Sequence, residues 1–499
     1  MEKRENSNSY SQILKYTSLF GGVQGLNILI GLVRNKLVSV ILGPNGMGLV
    51  SLFNSTIRIV SDSTNFGISM SAVKNISQIM ESGDREQVMN VVQTVRMWSF
   101  ITALLGMLVC VVLSPWLNRW TFDWGDHTLH FIMLAPVVAL IAITGGETAI
   151  LKGGRHLKSL AVVSVYNMLF ALVCSVPLFY FFGQTGIVPS LILMALAQCI
   201  LTIAYSYKFY RPKFLFSKRH FNEGKGMIKL GLAFVVAGIF GSGAEFLIRS
   251  FLNNISGLDS VGLYNAGFVM TMTYTSMVFS SLEADYFPRL SSIKFLGDKL
   301  NETVNHQMEV TLLLISPMLV FFMVLLPILL PLLFSNEFLP IVNMMRFSLL
   351  AMYFRAINLP MEYISLSRGD SHSYLLLEAA YYIIFVLMIV IGFQWRGLTG
   401  TGVAIMTCTV VNTVMVLIYV HWKYGYWPSG QVVVYALIQI FLGMVTCVST
   451  FAFTGVAYWL IGMLLTVLSL GISIQILRSK THLWSSLMGK LSSRFHCKK

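Results

Sequence analysis

RNKLVSVILGPNGMGL, residues 34–49, carries a cation inside an apolar run, stops that run with Gly-Pro-Asn-Gly-Met-Gly, and opens a second run. Proline cannot continue an i→i−4 hydrogen-bond ladder, and glycine accepts left-handed backbone, so the chain must turn here. The flanking runs, near 14–42 and 47–76, each exceed the roughly 20 residues a helix needs to cross a bilayer. The pattern continues. Apolar runs recur near 98–117, 128–151, 159–182, 186–207, 228–254, 260–288, 309–334, 340–366, 373–394, 398–420, 431–451 and 454–477, fourteen in all. With 56% hydrophobic and 11% charged residues over 499 positions, an ordinary soluble domain is excluded. The expected fold is all-α and polytopic, with about 14 transmembrane helices.

The formal charge of +14 suggests nucleic acid until its distribution is read. With the N-terminus in the cytoplasm, 27 of the 35 lysines and arginines fall in alternate, inner segments, and only Arg119 and Arg396 fall in outer ones. Arg96 counts among the inner set. That asymmetry is the positive-inside signature, and it predicts both termini in the cytoplasm. It also accounts for the net charge without a nucleic-acid partner. The polar start, Met1 to Ser11, does not read as a cleavable signal. The tail 481–499 mixes Leu, Trp and Phe with Lys490 and Arg494, as an amphipathic surface helix would. The six cysteines show no metal or disulfide spacing.

One internal repeat is visible. Gly43–Leu49 aligns with Gly257–Leu263, matching both glycines and the leucine, and the same offset lays Val73–Ile79 on Phe287–Ile293. Two six-helix lobes are expected, 1–215 and 216–425, followed by two additional helices and the tail in 426–499. Parallel repeats in transporters hold the substrate between lobes.

Ionisable residues inside spans are costly and face a cavity or a partner. Helical spacing puts Gln24, Asn27, Gly31 and Arg34 on one stripe. Ser51, Asn54, Arg58, Asp62 and Asn65 form another, and Arg355, Asn358 and Glu362 a third. Thr273, Ser276, Ser280 and Glu283 align, and Glu245 and Arg249 lie one turn apart. Counting about 1.5 Å per residue, Arg34 and Arg58 sit about 14 and 18 Å from the outer turn. Two cations in one apolar enclosure repel unless an anion joins them, and a phosphate or diphosphate suits the guanidinium fork. The candidate substrate-binding residues are Asn27, Arg34, Asn54, Arg58, Arg249, Arg355 and Asn358. Asp62, Glu245 and Glu283 are the candidates for proton or sodium coupling. The bland readings are that Arg58–Asp62 and Arg249–Glu245 neutralise each other along a helix. Arg346 would snorkel, and Glu147 and Glu378 would reach the headgroups.

The stretch Arg34–Leu49 resembles the first outer turn of Wzx-type polysaccharide flippases, especially the O-antigen and enterobacterial-common-antigen translocases. Leu151–Arg155 (LKGGR), Tyr286–Leu290 (YFPRL) and Phe338–Asp370 are similar to family positions too, and the likeness runs through about 10–425. The resemblance implies the multidrug/oligosaccharidyl-lipid/polysaccharide exporter superfamily: two bundles in a V around a cationic lumen, alternating between inward- and outward-open states. The implied cargo is an undecaprenyl-diphosphate-linked oligosaccharide, an O-antigen or related unit, carried across the bacterial inner membrane. Membrane lipid and other polysaccharide-assembly proteins are the implied partners. The last two helices depart from the usual twelve, and lipid II flippases of the superfamily also carry an added pair. A drug/cation antiporter of this fold would want an acidic, aromatic cavity, against the basic stripes here. A membrane glycosyltransferase or polymerase would want a sizeable catalytic loop, and the longest outer loop, about 118–127, offers only Asp123, Asp126 and His127. No Gly-x-x-x-x-Gly-Lys-Ser/Thr loop is present, so ATP use by the chain itself is not expected. Neither an enzyme nor a resident cofactor or metal is expected.

Overall fold

The computed structural model describes residues 2–82, 84–122, 125–211, 218–293 and 295–480. Within its helices, the side chains of 2–22, Gln24, 81–82, Arg85, 218–219, 229–234, 274, 277, 280–285, 288, 371 and 480 lie outside the description. The expected amphipathic tail, Asp123, and the side chains of Gln24 and Glu283 are therefore outside the described residues.

Among the described residues the fold is all-α. In chain order the helices are α1 (Glu2–Thr64), α2 (Ile68–Ser82), α3 (Arg85–Thr121), α4 (Thr128–Gly153), α5 (Leu157–Phe182), α6 (Ile187–Tyr207) and α7 (Lys218–Phe268). They continue with α8 (Tyr274–Ser291), α9 (Asp298–Leu333), α10 (Val342–Ser367), α11 (Ser371–Tyr424), α12 (Gly430–Ala452) and α13 (Gly455–Lys480). Among the described residues nine helical stretches are long and apolar enough to cross a membrane, and the chain is a multi-pass membrane protein. Several are far longer than one crossing. Leu157–Tyr207 and His372–Tyr424 run 51 and 53 residues, against the roughly 20 that suffice.

The long helices are broken at glycines. α1 breaks at Gly43 (φ 64°, ψ −172°) and α7 at Gly257 (φ 79°, ψ 177°). α11 breaks at Arg396 and Gly397 (φ 56°, ψ −140°). With these breaks, and with α2 and α8 read as continuing the arms before them, the helices give the fourteen arms that hydropathy counts.

The same breaks extend the repeat. Gly43 and Gly257 are 214 residues apart, and so are Gly183 (φ 56°, ψ −131°), after α5, and Gly397 in α11. The helix ends after α4 and α10 also recur at this offset. Gly154 N–H donates to Ile150 and Arg368 N–H to Ile364; His156 N–H donates to Leu151 and Asp370 N–H to Ser365. Between them stand Arg155 (φ 57°) and Gly369 (φ 69°), each ending its helix in left-handed backbone. Arginine adopts that conformation at a cost of about 1–2 kcal/mol that glycine avoids. Beyond each end the chemistry diverges at matched positions. His156 stacks on Phe209 at 3.7 Å and meets Tyr210, and its burial lowers its pKa. Asp370 pairs instead with Lys423 and accepts from Tyr424. Lys423, then Ser373, hold its carboxyl well below the usual carboxylate range.

The chain packs as two compact units, one of residues 1–265 with 331–338, the other of 266–330 with 339–499. The repeat divides the sequence near 215, so the first part of α7 belongs to the second lobe by sequence and to the first unit by packing. Within the first unit, α1 and α7 cross backbone to backbone. A Cβ on Gly48 would lie 2.1 Å from Leu258 O, and one on Gly262 would lie 1.9 Å from Pro44 O. Both glycines and both carbonyls are related by the 214-residue offset, so the crossing is reciprocal, as a local two-fold requires.

Cores form on both sides of this division. In the first unit Ile76, Val92, Val95, Trp98 and Ile150 bury one another; in the second, Tyr286, Met308, Ile364, Val420 and Tyr426 do. The added helices α12 and α13 dock on the second unit through small residues. A Cβ on Gly443 would lie 2.8 Å from the Tyr353 ring, and one on Gly462 2.6 Å from Val324 Cγ1. Such close approach is how helices gain contact in lipid.

Three sequence expectations are corrected. Arg96 is no loop residue: it lies inside α3, 4% exposed, and Glu147 does not reach the headgroups but is 4% exposed beside it. Arg96 Nε and Nη2 meet the two Glu147 oxygens at 2.8 and 3.2 Å, and further donors meet Tyr210 O and Arg211 O. Arg346 does not snorkel; it is buried, with its guanidinium 4.8 Å from the Phe451 ring centre. Lone changes Arg96→Met or Glu147→Leu should each cost about 3–5 kcal/mol, because the partner stays buried and charged. The double change should recover most of that, as read from thermal loss of the monodisperse peak in detergent.

Candidate functional site

The first unit holds a cavity of about 230 Å³ lined from α1 and α7. Arg34, Asn54, Arg58, Arg249 and Glu245, five of the sequence candidates, line it together, with Asn35, Ser51 and Asn265. Arg34 reaches it because the 3.6-residue period carries one polar stripe down the first arm of α1. The break at Gly43 then returns the chain, so Ser51, Asn54 and Arg58 come down the second arm.

Glu245 organises the cations. Its Oε1 accepts from Arg58 Nη1 and its Oε2 from Arg249 Nη1, both at 3.0 Å. Arg249 is buried and fully engaged: Nε donates to Ser51 Oγ at 2.7 Å and Nη2 to Asn265 Oδ1 at 3.0 Å. Arg58 is the reverse case. Its side chain keeps 60% of its surface open, with Asp62 Oδ2 3.9 Å away. Arg34 is held by neutral groups, Nε to Ser175 Oγ at 3.0 Å and Nη2 to Met194 Sδ at 3.6 Å. Among the described residues no carboxylate pairs with Arg34. Among the described residues three guanidinium groups thus share this cavity with a single lining carboxylate, and an incoming anion would meet Arg34 and Arg58 with donors to spare.

The remaining candidates lie elsewhere. Asn27 is buried and donates to Ser164 Oγ at 2.7 Å, outside this cavity. Asp62 stands one turn beyond Arg58 on α1, its Oδ2 3.9 Å from Arg58 Nε, outside the residues that line this cavity. Lys36 turns away and donates to Pro331 O at 2.6 Å and to Phe334 O, closing the carbonyl end of α9. Arg355 and Asn358 belong to the second unit. There Asn358 and Asn412 both donate to Glu362 Oε1, at 2.6 and 3.1 Å. Glu378, half-buried, lines a small recess with Glu362, Tyr374 and Tyr381.

Sequence spacing recovers the pairs along one helix but not the pair between helices, Arg58 with Glu245. Asn35 and Asn265 are missed too, although a signal existed: Asn265 stands 214 residues after Ser51, and Arg249 stands 214 after Asn35. Reading the repeat residue by residue would have brought these four to one axis.

The polysaccharide biosynthesis protein family matches residues 13–294. No curated protein matches. Among solved structures, the lipid II flippase MurJ in an inward closed conformation superposes with a TM-score of 0.71 at 14% identity, covering 92% of this chain and 99% of that one. An inward-facing multidrug resistance MATE family transporter of the MOP superfamily gives 0.62 at 16% identity, over 80% of this chain and 94% of that one. Its outward-facing counterpart gives 0.55 at 15%, over 82% and 96%. The family match spans more than half of the chain, and the fold runs through nearly all of it. The chain therefore belongs to the polysaccharide biosynthesis protein family, and its helical fold is similar to those of the lipid II flippase and MATE transporter structures.

Proposed function

We propose that this protein is a flippase that moves an undecaprenyl-diphosphate-linked oligosaccharide, an O-antigen or related surface-polysaccharide unit, from the cytoplasmic to the periplasmic leaflet of a bacterial inner membrane. The observation that carries the reading is the cavity in which Arg34, Arg58 and Arg249 face one lining carboxylate. Arg58 exchanges Glu245 for a diphosphate oxygen, and Arg34 supplies a second fork with no carboxylate to displace. Asn54 donates to phosphate or sugar, and the polyprenyl tail stays in lipid. Arg355 and Asn358 act later on the path, and Asn27 shapes its wall. Alternating access carries the head across. Asp62 and Glu245, with Glu283, take up a proton or sodium ion as the guanidinium groups change partners. A net basic lining disfavours a drug/cation antiporter, since like charge repels the cargo. No catalytic role is assigned.

Lipid II as cargo is the second reading, favoured by the added helices and by the fold likeness to a lipid II flippase. Depleting the protein in its host separates the two. Accumulation of the lipid-linked surface glycan on the cytoplasmic side supports the first, and accumulation of lipid II with arrested wall synthesis supports the second. A reporter active only in the cytoplasm, fused after Lys499, should be active. An inactive fusion of a well-expressed chain would overturn the orientation.

A further inference from the structure

A second cavity in the first unit has the opposite chemistry. It measures about 410 Å³, within the roughly 300–1,000 Å³ range of small-molecule sites. It lies where α2, α3 and the start of α7 meet, next in sequence to Lys74, which charge asymmetry places on the cytoplasmic side. Asn75, Gln78, Gln87 and Asn90 supply four side-chain amides, and Thr94 and Glu223 complete the polar wall. Among the described residues, none of these four amides makes a side-chain hydrogen bond. Ile79, Val91 and Met227 give an apolar floor.

The fold holds this wall in place. Gly224 lets α7 lie against the Trp98 indole, since a Cβ there would stand 1.7 Å from Nε1. Trp98 stacks on Phe221 at 5.0 Å and donates to His220 O. That contact brings Glu223 to Thr94, whose hydroxyl donates to its carboxylate at 3.4 Å.

We propose that this cavity binds a sugar of the cargo, as a glycan-recognition subsite separate from the phosphate site; the inference rests on the flippase reading. Amides offer a donor and an acceptor side by side, as adjacent hydroxyls require, and an apolar floor suits the C–H face of a pyranose. Among the described residues the polar lining is amides, one hydroxyl and one carboxylate, groups that pair with sugar hydroxyls. The two cavities thus divide the cargo: guanidinium groups take the diphosphate and amides take the glycan.

The test is binding to purified protein in nanodiscs with two probes, bare undecaprenyl diphosphate and the lipid-linked glycan fraction extracted from the host. The wild-type chain should prefer the glycan-bearing probe. The change Gln87→Ala with Asn90→Ala should weaken that probe at least about tenfold, the loss of hydrogen bonds to hydroxyls, and leave the bare diphosphate unchanged. Unchanged binding of the bare probe also shows that the variant is folded. Equal affinity of the wild type for both probes, or an unaltered preference in the variant, would overturn the subsite and leave the flippase reading standing. Failure of the wild type to bind either probe would overturn both.

Discussion

Arg58→Ala should lose more than about nine-tenths of glycan export while the protein still reaches the membrane, and Arg58→Lys should fall between it and the wild type. Lysine keeps the charge but presents no fork. The structure changes how this series must be controlled. Along α1 the neighbour of Arg58 is Asp62, but that contact is 3.9 Å, and the nearer carboxylate is Glu245 on α7 at 3.0 Å. Glu245 keeps Arg249 as a partner when Arg58 is removed, so Arg58→Ala should fold without help from Asp62→Ala. Glu245→Ala is the more damaging change for stability. It leaves buried Arg249 without its carboxylate, at about 3–5 kcal/mol, the cost of an uncompensated buried charge. Glu245→Gln keeps an acceptor and should fold, separating lost coupling from lost structure. Export by a well-expressed Arg58→Ala/Asp62→Ala double variant at the wild-type rate would show that Arg58 is structural.

Gly48→Ala and Gly262→Ala should each abolish accumulation of folded protein. The added Cβ would stand 2.1 or 1.9 Å from a backbone carbonyl, and a backbone cannot step aside as a flexible side chain can. Overpacking of this kind costs about 1–3 kcal/mol where side chains can yield, so more is expected here. Gly226→Ala is the control on the same helix α7: nothing stands within 4 Å of its Cβ and its φ is ordinary, so accumulation should be unchanged. Yield of monodisperse protein after detergent extraction measures all three. Normal yield from Gly48→Ala would show that α1 and α7 do not cross as described.

Much of this architecture was legible because the bilayer imposes it. Runs of about 20 apolar residues, a GPNGMG turn and a 3.6-residue polar stripe are local signals, and each came through as a helix, the break at Gly43, or the row Ser51, Asn54, Arg58. What stayed hidden is what only packing decides. Arg96 looks like a loop residue until Glu147 is seen beside it, because hydropathy scores a paired cation as it scores a free one. Arg346 reads as snorkelling until Phe451 on another helix covers it. The Arg58–Glu245 pair joins positions 187 residues apart, beyond any spacing rule. The repeat was faint for a related reason. Its shared demand is on backbone geometry, so Arg155 stands where Gly369 does, and side chains at matched sites, His156 and Asp370, have diverged.

The most direct test of the central claim is transfer of the host's lipid-linked glycan in proteoliposomes, followed by accessibility to an impermeant lectin. The account predicts transfer without ATP, slowed at least about tenfold by Arg58→Ala. Transfer at the wild-type rate by Arg58→Ala, or no transfer of the glycan by wild-type protein under an imposed proton or sodium gradient, would contradict it.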